Sequence, residues 1–185
     1  CSGMFTQSTV RASCVEICEQ RIKKRSGLIR AILINSGHAN ACTGNFGTQH
    51  FAIATSKVSE LLGIEEDEVL MCSTGVIGVP IPINYLVQNL PKLVDELKIN
   101  SFQNAAEAIL TTDLTCKKIA IETNIEGRKI KIAGLAKGSG MIYPNMATML
   151  AFLTCDVGVE KEEWDKMISI SVRKSFNAIT VDGET

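Results

Sequence analysis

The chain has 185 residues, 45% of them hydrophobic and 21% charged, which is enough to bury one core of ordinary size. Its 19 basic and 20 acidic residues leave a net charge of -1, and the one basic cluster, Arg21 to Arg25, has no interleaved aromatics, so a nucleic-acid footprint is missing. No stretch reaches the length of a membrane span and no signal-peptide layout opens the chain; the expectation is a soluble, cytoplasmic protein that acts on small molecules, with neither nucleic acid nor membrane as a partner.

Taken in chain order, residues 28–35 (LIRAILIN) form an aliphatic run ahead of a glycine, which suits a central strand. Residues 51–63 repeat Phe51, Ala54, Val58, Leu61 and Leu62 at helical spacing, with Gly63 as a C-terminal stop. Strand character returns at 68–75 (EVLMCSTG) and breaks at Gly75, after which VPIP (79–82) imposes an extended connection. A helical stripe over 83–98 carries Leu86, Leu90, Leu93, Val94 and Leu97 despite Pro91, and a short helix is expected over 101–110. Residues 117–134 alternate around Ile119, Ile121, Ile130 and Ile132 with Glu126-Gly127 between them, a hairpin signal. A buried strand is expected over 149–156. The last helix, over 161–176, gathers Trp164, Met167, Ile168, Val172 and Phe176 on one face and places acidic residues in its first turn.

Strands and helices do not simply alternate, so the expected class is α+β: helices layered on a mainly antiparallel sheet, in one unit spanning 1–185. The chain lacks an initiator Met and stops at VDGET; both ends read as truncated.

The seven cysteines are scattered, odd in number and set mostly in apolar segments, so they read as reduced, buried small hydrophobes. Metal is not expected, because Cys14 and Cys18 are the one close pair and neither His38 nor His50 stands at ligand spacing from them. Four glycine-rich stretches, NSGHANACTGNFG, CSTGVIG, AKGSGM and VDGET, could each cradle an anion or serve as an ordinary turn. Lys137 precedes its glycines, so KGSG is not a phosphate-binding loop, and no dinucleotide fingerprint follows a strand. Thr148 stands out. A threonine after a small Ala147, opening an apolar run, has the layout of a self-cleaving precursor: attack on the Ala147 carbonyl would free a threonine whose own α-amine serves as base. From spacing alone the self-cleaving layout is the weaker reading, and a β-branched residue opening a buried strand the better one.

Five stretches, NSGHANACTG (35–44), CSTGVIGVPIP (72–82), ILTTD (109–113), AKGSGMIYPNMATMLAFLTCD (136–156) and SFNAITVDGET (175–185), occur in the order seen in the ornithine acetyltransferase family. The resemblance to these ArgJ-type glutamate N-acetyltransferases of arginine biosynthesis, multifunctional self-processing enzymes with an N-terminal threonine nucleophile and an ornithine acetyltransferase/DmpA-like fold, covers practically the whole chain. It implies a cut between Ala147 and Thr148, making 1–147 the end of an α chain and 148–185 the start of a β chain. Thr148 would take the acetyl group of N-acetylornithine and pass it to glutamate, and some members also accept acetyl-CoA; no cofactor is implied. Thr74 and Gly75 inherit the oxyanion hole, Thr111 and Lys137 bind substrate together with Thr148, and processed subunits assemble as an α/β heterotetramer. Two departures stand out: His38 replaces the usual Asn of NSGNANA, and the family's continuation past VDG, with a substrate-binding Glu and further C-terminal residues, is absent, so the segment alone is expected to be inactive. The alternatives are an N-terminal-nucleophile aminopeptidase or amidohydrolase, and a non-catalytic domain that binds an amino acid.

Overall fold

The computed structural model describes residues 1–143 and 149–184; the expected scissile pair, Ala147 and Thr148, lies outside the described residues. Among the described residues the chain forms five α-helices and five strands in an α+β arrangement. In chain order these are α1 (Ser13–Lys24), β1 (Ala31–His38), α2 (Asn45–Leu62), β2 (Val69–Val76), α3 (Ile83–Asp95), α4 (Phe102–Ala108), β3 (Lys117–Ile125), β4 (Arg128–Lys137), β5 (Leu150–Cys155) and α5 (Lys161–Lys174).

The strands form two separate sheets. β3, β4 and β5 make the expected antiparallel sheet, with β4 in the middle. Glu126 and Gly127 both take positive φ (50° and 81°), and Ile125 pairs with Arg128, so the hairpin closes through a two-residue turn of the kind that matches strand twist. β1 and β2 instead pair in parallel, Ala31 with Val69 through Gly37 with Gly75. The antiparallel expectation did not extend to this pair because α2 lies between its strands and returns the chain to the same end, as a parallel crossover requires.

α1 was not foreseen. Its buried stripe is Cys14, Cys18 and Ile22, i, i+4 and i+8; the two cysteines were expected to be buried, but their spacing was not read as a helical stripe. Glu16 in its first turn and Arg21, Lys23 and Lys24 in its last complement the helix dipole. The basic cluster is engaged within the fold: Arg21 pairs with Glu66 at 2.7 Å, Lys24 with Asp67 at 2.8 Å and Arg25 with Glu68 at 2.5 Å, and the Arg21 guanidinium lies 4.8 Å from the centre of the Phe51 ring.

One core joins α1, α2 and α3 to the parallel pair, centred on Phe51, Met71, Val69 and Leu90. A smaller one packs Ala106 and Ile109 against Leu135 of β4, with Ile34 of β1 and Phe152 of β5 at its border. Ser36 of β1 donates to the carbonyl of Ala108 at 2.6 Å. β1 therefore faces both cores and connects the two sheets.

Candidate active site

β2 delivers Thr74 and Gly75, two of the expected site residues, near its C-terminal end, where crevices form in parallel sheets. Gly75 is there for a steric reason. Its φ is +127°, and a Cβ would lie 2.3 Å from the carbonyl carbon of Gly37 on β1 and 2.5 Å from its oxygen. Only a residue without a side chain lets the two backbones approach so closely. The loops leaving both strands are then stitched together: Ala39 N–H donates to the Val76 carbonyl at 2.9 Å and Gly78 N–H to the Ala41 carbonyl at 2.8 Å. Beneath them Ser73 donates to Asn35 Oδ1 at 2.6 Å. Asn40, buried with φ +53°, donates to the Gly47 carbonyl at 3.1 Å.

Lys137, the last residue of β4, reaches this strand from the other sheet. Its ammonium donates to Thr74 Oγ1 at 2.8 Å, with Lys137 only 3% and Thr74 5% exposed. Burial lowers the Lys137 pKa below the usual lysine value, Lys117 adds to that effect, and Asp113 opposes it.

Asp113 was quoted within a motif and given no role, yet its carboxylate organises this corner. Its side chain is 0% exposed. Oδ1 accepts the Gly138 N–H at 2.8 Å and the Lys117 ammonium, while Oδ2 has no partner among the described residues. Burial works to raise its pKa, but the bonds from Lys117 and Gly138 outweigh it, and the carboxyl ends below its usual range. Thr112 and Ser139 share a hydroxyl-to-hydroxyl hydrogen bond of 2.8 Å. Residues 112–113 are thus fastened to 138–139, which sets the exposed Thr111 on the segment beside Lys137. An acid at i, i+4 spacing from the Lys117-Lys118 pair is the sequence signal by which Asp113 could have been found.

A third segment closes on the approach to the expected cleavage site. Asp182 accepts the N–H groups of Met141 and Ile142 at 2.6 and 3.0 Å, and Thr180 Oγ1 and Val181 N–H both donate to the Ile142 carbonyl. Met141 is held at φ +55°. A cavity of about 700 Å³ lies alongside. Thr74, Gly75, Met149, Leu150 and Trp164 are among its lining residues, whereas Lys137 and Thr111 are not.

The groups gathered here are hydroxyls, an ammonium, a carboxylate and backbone N–H groups. Among the described residues no group of three or more His, Cys, Asp or Glu could hold a metal ion, and no helix is long and apolar enough to cross a membrane. All seven cysteines are free thiols. Cys14 and Cys18 are buried as expected, but Cys1 and Cys42 are exposed and the others half-buried: Cys116 precedes β3 and Cys155 ends β5, while Cys72 lies within β2. Burial, helped by Cys18, pushes the Cys14 thiol up to about 11.

A family model described as the ArgJ family matches residues 1–185. An arginine biosynthesis bifunctional protein ArgJ from Prochlorococcus marinus subsp. pastoris is 80% identical over 185 residues, covering 100% of this chain and 46% of the relative. Its counterpart from Synechocystis sp. is 48% identical over 184 residues, covering 100% and 44%. The chain therefore spans less than half the length of these curated relatives. The crystal structure of the arginine biosynthesis bifunctional protein ArgJ from Bacillus halodurans superposes with a TM-score of 0.72 at 34% identity, over 80% of this chain and 76% of that one. That of ornithine acetyltransferase from Mycobacterium tuberculosis, complexed with ornithine, gives 0.65 at 30% identity, over 81% and 77%.

Proposed function

The chain belongs to the ArgJ family, and from that premise we propose that it forms part of an enzyme that moves an acetyl group from N-acetylornithine to glutamate through an acetyl-threonine on Thr148. Self-processing precedes the chemistry. Thr148 Oγ attacks the Ala147 carbonyl, the peptide becomes an ester, and water releases 1–147 as the end of one chain and 148–185 as the start of another. The α-amine so freed takes the Thr148 hydroxyl proton as Oγ attacks the acetyl carbon. The oxyanion is held by Thr74 and Gly75, the C–N bond breaks, and the ammonium returns the proton to the departing ornithine amine. The amine of glutamate then attacks the ester carbon and gives its proton to the Thr148 amine, which passes it to Oγ as the C–O bond breaks, restoring the hydroxyl. Acetyl-CoA, which some members of the family accept, would reach the same ester with its thiolate as the leaving group.

Lys137 and Thr111 act on the amino-acid part of the substrates, whose carboxylate suits an ammonium. The observation that carries this reading is the buried 2.8 Å bond from Lys137 to Thr74, which joins two residues singled out from separate motifs 63 positions apart. The bound ornithine of the Mycobacterium relative supports the substrate class, and pairing of two processed units as an α/β heterotetramer follows from the same family reading.

The test is the denatured mass of the full-length protein beside a Thr148→Ala variant, followed by acetyl exchange between N-acetylornithine and glutamate. Two fragments from the parent, the second beginning at Thr148, an uncut variant, and exchange by the parent alone are expected. An uncut parent without exchange would sink the proposal.

A further inference from the structure

The hydrogen bond between Lys137 and Thr74 has a direction, and the direction carries information. An ammonium has three donors and no acceptor, whereas a hydroxyl has one donor and two acceptor sites. Thr74 Oγ1 must therefore be the acceptor in the 2.8 Å contact, and its own proton is left for another partner. Among the described residues nothing accepts that proton. A free hydroxyl turns about its Cβ–Oγ bond to serve whichever acceptor is near; with one lone pair held by a buried ammonium, the proton is directed away from Lys137.

The cavity lies where that proton can be used. Thr74 and Gly75 line it and Lys137 does not. The ammonium therefore meets the cavity through the Thr74 hydroxyl, and a hydroxyl that accepts from a cation in a poorly solvated place is a stronger donor in turn. We infer that Lys137 is a positioning residue of the oxyanion hole: it orients the Thr74 hydroxyl toward the acetyl carbonyl oxygen and polarises it, in addition to any contact with a substrate carboxylate. The inference rests on the assignment of Thr74 proposed above.

The surroundings are built to keep this arrangement. Asp113 anchors the residue after Lys137 through the Gly138 N–H, and its charge counters the effects of burial and of Lys117 on the ammonium. A neutral amine there could accept the hydroxyl proton, turning the donor back toward β4 and out of the cavity.

The experiment is a double-mutant cycle in the full-length processed enzyme: wild type, Thr74→Val, Lys137→Met and the pair, with kcat and KM measured separately for acetyl exchange. Loss of one oxyanion donor costs about 10²–10³ in kcat, so Thr74→Val is expected to fall by about 100-fold or more, and Lys137→Met by about 10-fold or more. The pair should turn over within about threefold of Thr74→Val, because the lysine has nothing left to orient. Multiplied losses, or a Lys137→Met kcat equal to wild type, would overturn the inference. KM reports the other role independently. A rise on Lys137→Met in both backgrounds supports the carboxylate contact, and an unchanged KM with non-multiplying kcat losses keeps the orienting role and removes that contact. No exchange by the wild type overturns both. Should Thr74→Val not fold, Thr74→Ser decides: it keeps turnover within about threefold, and adding Lys137→Met must still lower kcat about 10-fold.

Discussion

Replacing Gly75 by alanine isolates what the close approach of β1 and β2 contributes. The new Cβ would sit 2.3, 2.5 and 2.7 Å from the carbonyl carbon, oxygen and Cα of Gly37, where ordinary contact begins at 3.4 Å. The shortfall is therefore about 1.1 Å against main-chain atoms of a paired strand, which cannot rotate aside. Overpacking of this kind costs about 1–3 kcal/mol, and an L-residue at φ +127° adds about 1–3 kcal/mol of strain. Gly37 is the internal control. It too has positive φ, +105°, but a Cβ there meets nothing within 4 Å, so Gly37→Ala carries the strain alone. In the uncut Thr148→Ala background, where each variant is one continuous chain, Gly75→Ala should unfold several degrees below Gly37→Ala, at about 2–4 °C per kcal/mol. In the processed enzyme its kcat should fall by about 100-fold as the oxyanion donors shift. Equal melting temperatures for the two variants would refute the steric argument.

Three further outcomes are expected. Asp113 has its pKa held below the usual aspartate value, so its contribution to stability is full above about pH 4 and is lost as pH falls through its own lower value; the melting-temperature gap between wild type and Asp113→Asn should close on acidification, and a gap independent of pH would count against that ion pair. Asp182→Ala removes the acceptor for the Met141 and Ile142 N–H groups and should slow appearance of the fragment that begins at Thr148, followed by mass in pulse-labelled protein; unchanged processing would show that this clasp is not needed for the cut. Since Lys137 has a pKa below that of an ordinary lysine, kcat should decline as pH rises through that lowered value, and the decline should vanish in Lys137→Met; its persistence would point to another group.

Elements that carry their own punctuation were legible in the sequence. Gly63, at φ +63°, ends α2 where it was expected, and Glu126-Gly127 turns the hairpin. Elements whose limits depend on partners were not. β1 runs on past Asn35 through Ser36, Gly37 and His38 because β2 is there to pair with them, although nothing apolar marks the extension. α2 begins at Asn45, before the apolar stripe opens at Phe51, because its first turn carries no buried apolar side chain to mark it: Phe46 is exposed and the buried Gly47 has none. Pro91 lies inside α3, yet the stripe through Leu90 outweighs its missing donor. The site followed the same division: Thr74, Gly75 and Lys137 stood out through their motifs, but that Lys137 points at Thr74 depends on how two sheets dock, and local spacing holds no record of it. Thr148, the centre of the chemical argument, lies outside the described residues, so its role rests on the family.

The bond between Lys137 and Thr74 crosses from one sheet to the other, and this has a bearing on when the chain becomes reactive. A nascent chain with the β1–β2 pair formed holds a hydroxyl that can point anywhere; one with only the β3–β4–β5 sheet holds a lysine in water with nothing to direct. On the proposed reading, in which Thr74 belongs to the oxyanion hole, neither half alone holds an oriented donor, so the hole is complete only once the two sheets have met.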